Sequence, residues 1–120
     1  MKKILVVDDE RDVLDVLKST LERQGEFKVA VAQDGEEALK ILEDETPDLI
    51  ILDLVMPKIS GDQLLRLIRK NFKTQDTPVI VSTVKREISS LVDLMNLGAT
   101  DYLMKPYDIQ ELNRTISMYI

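Results

Sequence analysis

The sequence predicts an α/β fold, a doubly wound parallel sheet of five strands in the order 2-1-3-4-5 with five helices. Short apolar runs alternate with longer amphipathic stretches along the whole chain. Three of the runs, residues 4–7, 49–52 and 79–81, are apolar at every position, which is typical of strands covered on both faces. A strictly alternating strand–helix series requires right-handed crossovers, and therefore a parallel sheet with helices on both faces.

The five strands are predicted from these runs and from two weaker ones. Residues 4–7, 49–52 and 79–81 supply the first, third and fourth strands, at the centre of the sheet. Residues 27–32 alternate in apolar character and residues 102–104 are few, so both fit better near the edges. For five strands, 2-1-3-4-5 is a common doubly wound order.

The helices are predicted from apolar residues that recur at steps of three and four. The five sets are Val13, Leu14, Leu17 and Leu21; Ala38, Ile41 and Leu42; Leu64, Leu67 and Ile68; Ile88, Leu91, Val92 and Met95; and Ile109, Leu112 and Ile116. Asp34, Ser60 and Asp108 are each followed three residues later by Glu or Gln, the pattern of a capped helix N-terminus. Gly25 and Gly98 lie where helices should end.

The composition excludes several kinds of chemistry. None of the 120 residues is Cys, His or Trp, which excludes disulfides, thiolate or imidazole zinc sites and Ser–His–Asp triads. The net charge is −6 and no Lys/Arg cluster is present, so we expect no binding of nucleic acid or of a membrane by this domain. The apolar run near the start is too short for a signal peptide or a membrane span. We expect one cytoplasmic domain, residues 1–120.

Three carboxylates are predicted to meet at one edge of the sheet. Ligands of this fold bind between the carboxyl ends of the first and third strands; Asp8 and Asp9 follow the first and Asp53 the third. Packed carboxylates repel one another unless a cation neutralises them or protons are retained. Mg²⁺ is the natural cation, and it usually also binds a phosphoryl oxygen. A carboxylate can attack a phosphoryl group to give an acyl phosphate, a role that Asp53 suits best.

Two further strand ends contribute to the same edge. Val81-Ser82-Thr83 ends the fourth strand, so that Thr83 offers a hydroxyl there, and Tyr102-Leu103-Met104-Lys105-Pro106 ends the fifth, where Lys105 offers a point charge for a phosphate. Pro106 shapes the backbone there, with a peptide bond that can be cis. Each acid alone has an ordinary explanation, since acids at residues 8–10 also complement the dipole of the first helix. Their convergence on one crevice favours a functional role.

The sequence resembles the receiver domain of two-component response regulators, the CheY-like superfamily with a flavodoxin-like fold, over its whole length. The motifs that carry the resemblance are Ile4-Leu5-Val6-Val7-Asp8-Asp9-Glu10, Asp34-Gly35-Glu36-Glu37-Ala38-Leu39, Asp53-Leu54-Val55-Met56-Pro57 followed by Gly61, Pro78-Val79-Ile80-Val81-Ser82-Thr83, and Gly98-Ala99-Thr100-Asp101-Tyr102-Leu103-Met104-Lys105-Pro106-Tyr107. The intervals that separate Asp53, Thr83 and Lys105 are also those of receivers.

The resemblance implies a phosphoacceptor site with magnesium as cofactor. Asp53 would accept a phosphoryl group from a phosphohistidine on a sensor histidine kinase or a histidine phosphotransfer protein. Asp9 and Asp53 would bind Mg²⁺ directly, Asp8 through water, and the backbone carbonyl of Val55 would complete the protein ligands. Such a transfer needs positioning and charge neutralisation more than covalent help from the protein.

The resemblance also implies a switch. Thr83 and Lys105 would contact the phosphoryl oxygens, with Thr83 moving toward them and Tyr102 turning inward, although a lone Tyr is more often an ordinary half-buried residue. The altered surface would be that of the fourth helix, fifth strand and fifth helix, where a homodimer or an output partner would bind. Leu94 and Leu97 widen the apolar arc of the fourth helix, which fits either a partner site or deep burial.

Several positions depart from the commonest receiver pattern. Val84 replaces a small residue and would narrow access to the site. Val55 and Lys85 lie where side chains bias the attacking water, and because Val55 cannot orient water by hydrogen bonding, we expect slow self-dephosphorylation. Ser60 replaces an acid or Asn but still caps a helix.

Two alternatives stay open at this point. One is a Mg²⁺-dependent phosphohydrolase with an aspartyl-phosphate intermediate, although such enzymes commonly carry the nucleophile after the first strand with an acid two residues later. We therefore expect no enzyme. The other is a receiver-like scaffold that binds partners without phosphorylation. The sequence is compatible with a single-domain regulator and with a piece of a longer protein that has an effector domain after Ile120.

Overall fold

Five strands and five helices alternate along the part of the chain that the structure, a computed structural model, describes, namely residues 1–56, 58–84 and 91–120. They are β1 (Lys2–Val7), α1 (Arg11–Arg23), β2 (Phe27–Ala32), α2 (Gly35–Asp44), β3 (Leu49–Asp53), α3 (Gly61–Lys70), β4 (Val79–Val84), α4 (Leu91–Asn96), β5 (Asp101–Lys105) and α5 (Ile109–Ser117). None of these helices has the length and apolarity required to cross a membrane.

The strands form one sheet in the order β2-β1-β3-β4-β5. Every neighbouring pair is parallel, so the predicted fold and strand order are confirmed. The register aligns the carboxyl ends of the strands, because Asp53 lies opposite Ser82 on β4, and Val84 lies opposite Lys105 on β5. Residues that follow or end these strands therefore share one edge.

The central strands are apolar at every position because both of their faces are buried. Leu5 and Val7 of β1 pack in the core that α2, α3 and α4 cover. Ile4 and Val6 of the same strand pack in the second core, under α1 and α5. The alternation of side chains along a strand thus supplies both cores at once.

The predicted helix caps are present. The side chains of Asp34, Ser60 and Asp108 each accept a hydrogen bond from the backbone N–H three residues on. In α3 the reciprocal bond of a capping box is also present, because the Ser60 N–H donates to Gln63 Oε1. In α2 the corresponding carboxylate, that of Glu37, accepts instead from the N–H of Gln33, the residue before the N-cap. Gly25 and Gly98 have φ of 81° and 107°, values that favour Gly at a helix end.

Several elements extend beyond the predicted runs; β1 begins at Lys2 rather than at residue 4, and β5 spans Asp101–Lys105 rather than residues 102–104. β4 runs through the buried side chains of Ser82 and Thr83 to Val84, so residues 81–83 belong to the end of this strand, as predicted. α4 is described from Leu91 onward, so the predicted helical position Ile88 lies outside the described residues. On α4, Leu94 is buried while Val92 and Met95 are exposed, so part of its apolar arc faces the surface.

Candidate functional site

Residues from three strand ends meet around the ammonium group of Lys105. Its Nζ donates a hydrogen bond to Asp8 Oδ2 at 2.9 Å and lies 3.6 Å from Asp53 Oδ2. Asp8 and Asp53 are 3% and 6% exposed, whereas Asp9 is exposed. Of the predicted site residues, the structure thus brings together two acids and the lysine, from β1, β3 and β5.

The electrostatics of this group are set by burial. Burial raises the pKa of Asp53 from 3.8 to about 6, and the charges of Asp8 and Asp9 act in the same direction, while Lys105 and the Val55 N–H oppose them. Burial by itself would lower the pKa of Lys105, but the hydrogen bond to Asp8 and the two carboxylate charges outweigh it and raise that pKa. The ionised Asp53 carboxylate is therefore costly unless a further cation lies beside it.

An acidic cluster adjoins the buried pair. Asp8, Asp9 and Glu10 each offer a carboxylate oxygen, and these oxygens lie within 4.8 Å of one another. Asp53 is not a member of this cluster, but Lys105 links it to Asp8. Hard oxygen donors in such a set fit Mg²⁺, so the residues present suit the cation that the sequence predicts.

Glu10 is a candidate ligand that the sequence reasoning did not select. It occupies the N-cap position of α1, yet its side chain makes no capping hydrogen bond, and its N–H donates to Asp8 Oδ1 at 2.9 Å. The only sequence signal for Glu10 as a ligand is that it follows Asp8 and Asp9 directly. Acids at these three positions also complement the dipole of α1, so the signal is ambiguous.

The loop after β3 folds back over the end of that strand. The Val55 N–H donates to Asp53 Oδ1 at 3.3 Å, and the Gly61 N–H donates to the Leu54 carbonyl at 2.9 Å. A Cβ at position 61 would overlap the Asp53 carbonyl oxygen and the Leu54 Cα, so only Gly allows this close return of the chain. Pro57, which belongs to the same motif, lies outside the described residues.

Thr83 is buried on β4, one residue after Ser82, which lies opposite Asp53 on β3. It is 1% exposed, and its Oγ1 has no hydrogen-bond partner within residues 1–56, 58–84 and 91–120. A buried hydroxyl that makes no hydrogen bond is costly, which leaves Thr83 Oγ1 available to donate to an acceptor oxygen. Lys85, two residues on, lies outside the described residues.

The remaining predicted positions lie on β4 and β5 or in residues that follow a strand. Tyr102 is half-buried on β5 and Val84 half-buried at the end of β4. The Lys105–Pro106 peptide bond is cis, as the sequence allowed. Val55 is 53% exposed, so it lies at the surface, two residues after Asp53.

Comparison with known proteins decides the family. A family model of the response regulator receiver domain matches residues 4–117. The chain belongs to this family. The receiver domain has the fold and the strand order described above, and the resemblance predicted from the five motifs is confirmed.

The relatives are transcriptional regulators. The chain is 43% identical over 115 residues to the alkaline phosphatase synthesis transcriptional regulatory protein PhoP of Bacillus subtilis, covering 96% of this chain and 47% of the relative. It is 46% identical over 112 residues to the transcriptional regulatory protein CpxR of Escherichia coli, covering 93% and 46%. The chain therefore spans about half the length of the curated relatives it matches.

Solved receivers share the whole fold. The chemotaxis response regulator CheY4 of Vibrio cholerae matches with a TM-score of 0.89 at 29% identity, over 100% of this chain and 99% of that one. The response regulator protein TrrA of Thermotoga maritima, solved in complex with Mg²⁺ and BeF, matches with a TM-score of 0.85 at 36% identity over 100% of both chains.

Proposed function

We propose that this receiver domain accepts a phosphoryl group on Asp53, from a phosphohistidine of a partner histidine kinase or phosphotransfer protein, in a Mg²⁺-dependent reaction. The observation that carries the proposal is the position of Lys105 Nζ, in contact with the carboxylates of both Asp8 and Asp53. A nucleophilic carboxylate, a cation for phosphoryl oxygens and a set of hard metal ligands thus lie at one edge of the sheet.

The transfer uses few groups of this chain. A carboxylate oxygen of Asp53 forms the new bond to phosphorus as the P–N bond of the donor breaks, and the electron pair of that bond stays on the departing imidazole. Thr83 Oγ1 donates to one phosphoryl oxygen and Lys105 Nζ to another. Asp8, Asp9, Asp53 and the Val55 carbonyl would hold Mg²⁺. When bound, it supplies charge neutralisation for the transferred group.

The phosphoryl group alters the partners of buried side chains. It adds about 1.5–2 negative charges at Asp53, which draws Thr83 and Lys105 toward it. Thr83 lies in register with Met104 on β5, and Tyr102 lies on the same strand. We propose that this movement is transmitted to the face of α4, β5 and α5, where a homodimer or output partner binds.

The donor protein must cover the surface around Asp53. An apolar groove of about 900 Å³ lies beside the site, between α1 and the start of α5, and Glu10 and Lys105 line its edge. Val16 in this groove is 62% exposed. We propose that the phosphohistidine-bearing domain docks here through an apolar face, so Val16→Asp should slow transfer from a phosphorylated donor protein about tenfold. Transfer from a small phosphodonor should be unchanged.

Intact mass spectrometry tests the acceptor assignment. Wild-type protein incubated with acetyl phosphate and Mg²⁺ should gain the mass of one phosphoryl group, and Asp53→Asn should gain none. Asp44→Asn, a matched change at an exposed residue at the end of α2, should be labelled like wild type. An unlabelled wild type would favour the scaffold alternative, and turnover of a generic phosphate ester would favour the hydrolase. Location in the cytoplasm stays a prediction.

A further inference from the structure

The loop between β3 and α3 packs tightly against the N-terminus of α2. Gly35, the first residue of α2, is buried, and a Cβ at this position would lie 2.8 Å from Ile59 Cβ and 3.1 Å from Ile59 Cγ2. Ile59 Cβ is attached directly to the loop backbone, so a larger residue at position 35 would have to displace the loop itself. The absence of a side chain at Gly35 therefore sets how closely the loop approaches α2.

An ion-pair group reinforces the same contact. Lys58, which has φ of 66°, places Nζ 3.8 Å from Asp34 Oδ2 and 3.8 Å from Glu36 Oε2. The other oxygen of Asp34 accepts the capping bond from the Glu37 N–H, so the Asp34 side chain is fixed by the helix. Exposed pairs of this kind contribute little each, which leaves the Gly35–Ile59 contact as the main constraint.

The two ends of the loop, Leu54 and Gly61, are held together independently of α2. The Gly61 N–H donates to the Leu54 carbonyl, and Gly61 packs directly on the last residue of β3. Val55 lies between these two anchors, and its N–H donates to Asp53 Oδ1. A shift of the loop at Ile59 would therefore be transmitted to the peptide groups around Val55.

We propose that the N-terminus of α2 is a positioning element for the magnesium site, acting through Gly35 and Lys58 on the loop that carries Val55. The inference rests on the proposed function, in which the Val55 carbonyl is a ligand. Mg²⁺ requires near-octahedral geometry with bonds of about 2.0–2.1 Å. A loop displacement of a few tenths of an ångström is therefore enough to weaken binding, although Gly35 and Lys58 do not touch the cation.

Calorimetric titration of the unphosphorylated protein with MgCl₂ tests the inference. Gly35→Ala should raise the Kd about tenfold or more, the usual effect of residues that orient metal ligands. Ala favours a helix more than Gly does. The free energy of unfolding of Gly35→Ala in EDTA should therefore fall by less than the loss of Mg²⁺ binding free energy. Lys58→Gln should raise the Kd about twofold. The matched change Lys70→Gln, at an exposed residue of α3, should leave the Kd unchanged.

A double-mutant cycle separates positioning from a general loss of structure. Ile59→Gly removes the atom that the new methyl group would meet, so Gly35→Ala with Ile59→Gly should bind Mg²⁺ as tightly as Ile59→Gly alone. An additive loss in the double variant, or a folded Gly35→Ala with the wild-type Kd, would overturn the inference and leave the proposed function intact. A wild-type protein that binds no Mg²⁺ would overturn both.

Discussion

Two partly buried cations, Arg69 and Lys105, are held by opposite kinds of partner. The Arg69 guanidinium donates to neutral oxygens: the carbonyls of Gly98, Thr74, Gln75 and Thr77 and the hydroxyl of Thr100, at 2.7–3.2 Å. Thr100 Oγ1 also accepts from the Val79 N–H. Arg69 thereby ties α3 to the loops that precede β4 and β5.

Lys105 instead contacts two carboxylates. Its Nζ lies 2.9 Å from Asp8 Oδ2 and 3.6 Å from Asp53 Oδ2. The chemical consequence appears in the pKa values: burial lowers the pKa of Arg69, whereas the carboxylates overcome the effect of burial and raise the pKa of Lys105. A planar donor with many fixed carbonyl partners is suited to structure, and a point charge between ionisable groups is suited to exchange partners when charge is added.

The largest expected effect is the loss of stability when Arg69 is replaced. Arg69→Met removes the donors of five hydrogen bonds and should lower the free energy of unfolding by about 3 kcal/mol. Because carbonyl and hydroxyl acceptors do not titrate, the loss should be the same at pH 5 and pH 8. Urea denaturation measures it, with the exposed α3 residue Arg66 as the matched control, changed to Met. A loss confined to one end of the pH range would contradict this reading.

The next effect concerns the charge of Asp53. Its pKa in the folded, metal-free protein is raised from 3.8 to about 6, so the native state binds the proton more tightly than the unfolded chain. Stability from this group is present at low pH and is lost as pH rises through about 6. In EDTA, the stability of Asp53→Asn relative to wild type should therefore rise by about 2 kcal/mol between pH 4.5 and pH 7.5. If the stability difference between Asp53→Asn and wild type were the same at pH 4.5 and pH 7.5, ionisation of Asp53 would not destabilise the folded protein.

Lys105→Met tests the proposed role of Lys105 in the phosphorylation of Asp53. Loss of the ammonium group should slow phosphorylation of Asp53 by acetyl phosphate about tenfold, because one charge that stabilises the transferred group is removed. Arg69→Met, assayed at a temperature where it is folded, should be phosphorylated at the wild-type rate. The time course of the intact mass gives both rates. Equal slowing in the two variants would remove the distinction between the cations.

The smallest effect concerns the phosphorylated state. Val55 is exposed two residues after Asp53, and its side chain has no polar group to orient a water molecule. Spontaneous hydrolysis should therefore be slow, with a phosphoryl lifetime of minutes or longer. The decay of the phosphorylated mass after removal of the phosphodonor measures it in the presence of Mg²⁺. A lifetime of seconds would reject the prediction.

The sheet could be predicted from the sequence because its signals are local. Fully apolar runs such as residues 49–52 identify strands buried on both faces, and capping residues such as Ser60 locate helix starts. The burial of Ser82 and Thr83 at the end of β4 could not be predicted in this way, since it arises from neighbouring strands. The predicted start of the fourth helix around Ile88 lies outside the described residues.

The site was predictable where strand ends carry its residues. Asp8, Asp53 and Lys105 follow or end parallel strands, so the topology brings them together. The contacts of Arg69 were not predictable, because most of their acceptors are backbone carbonyls, whose positions no residue pattern encodes. The Gly35–Ile59 packing was not predictable either, because it joins residues distant in sequence. The roles of Val55, Thr83 and Tyr102 stay predictions.

The position of the phosphoryl group tests the assignment of Asp53 as the acceptor most directly. Borohydride reduces an aspartyl phosphate to homoserine and leaves free aspartate unchanged, so peptide mass analysis of the reduced protein identifies the modified residue. After incubation with acetyl phosphate and Mg²⁺, we expect homoserine at position 53 and intact Asp at positions 8 and 9. Homoserine at another position would contradict the assignment of Asp53 as the phosphoacceptor. So would the absence of homoserine from protein shown to carry the phosphoryl group.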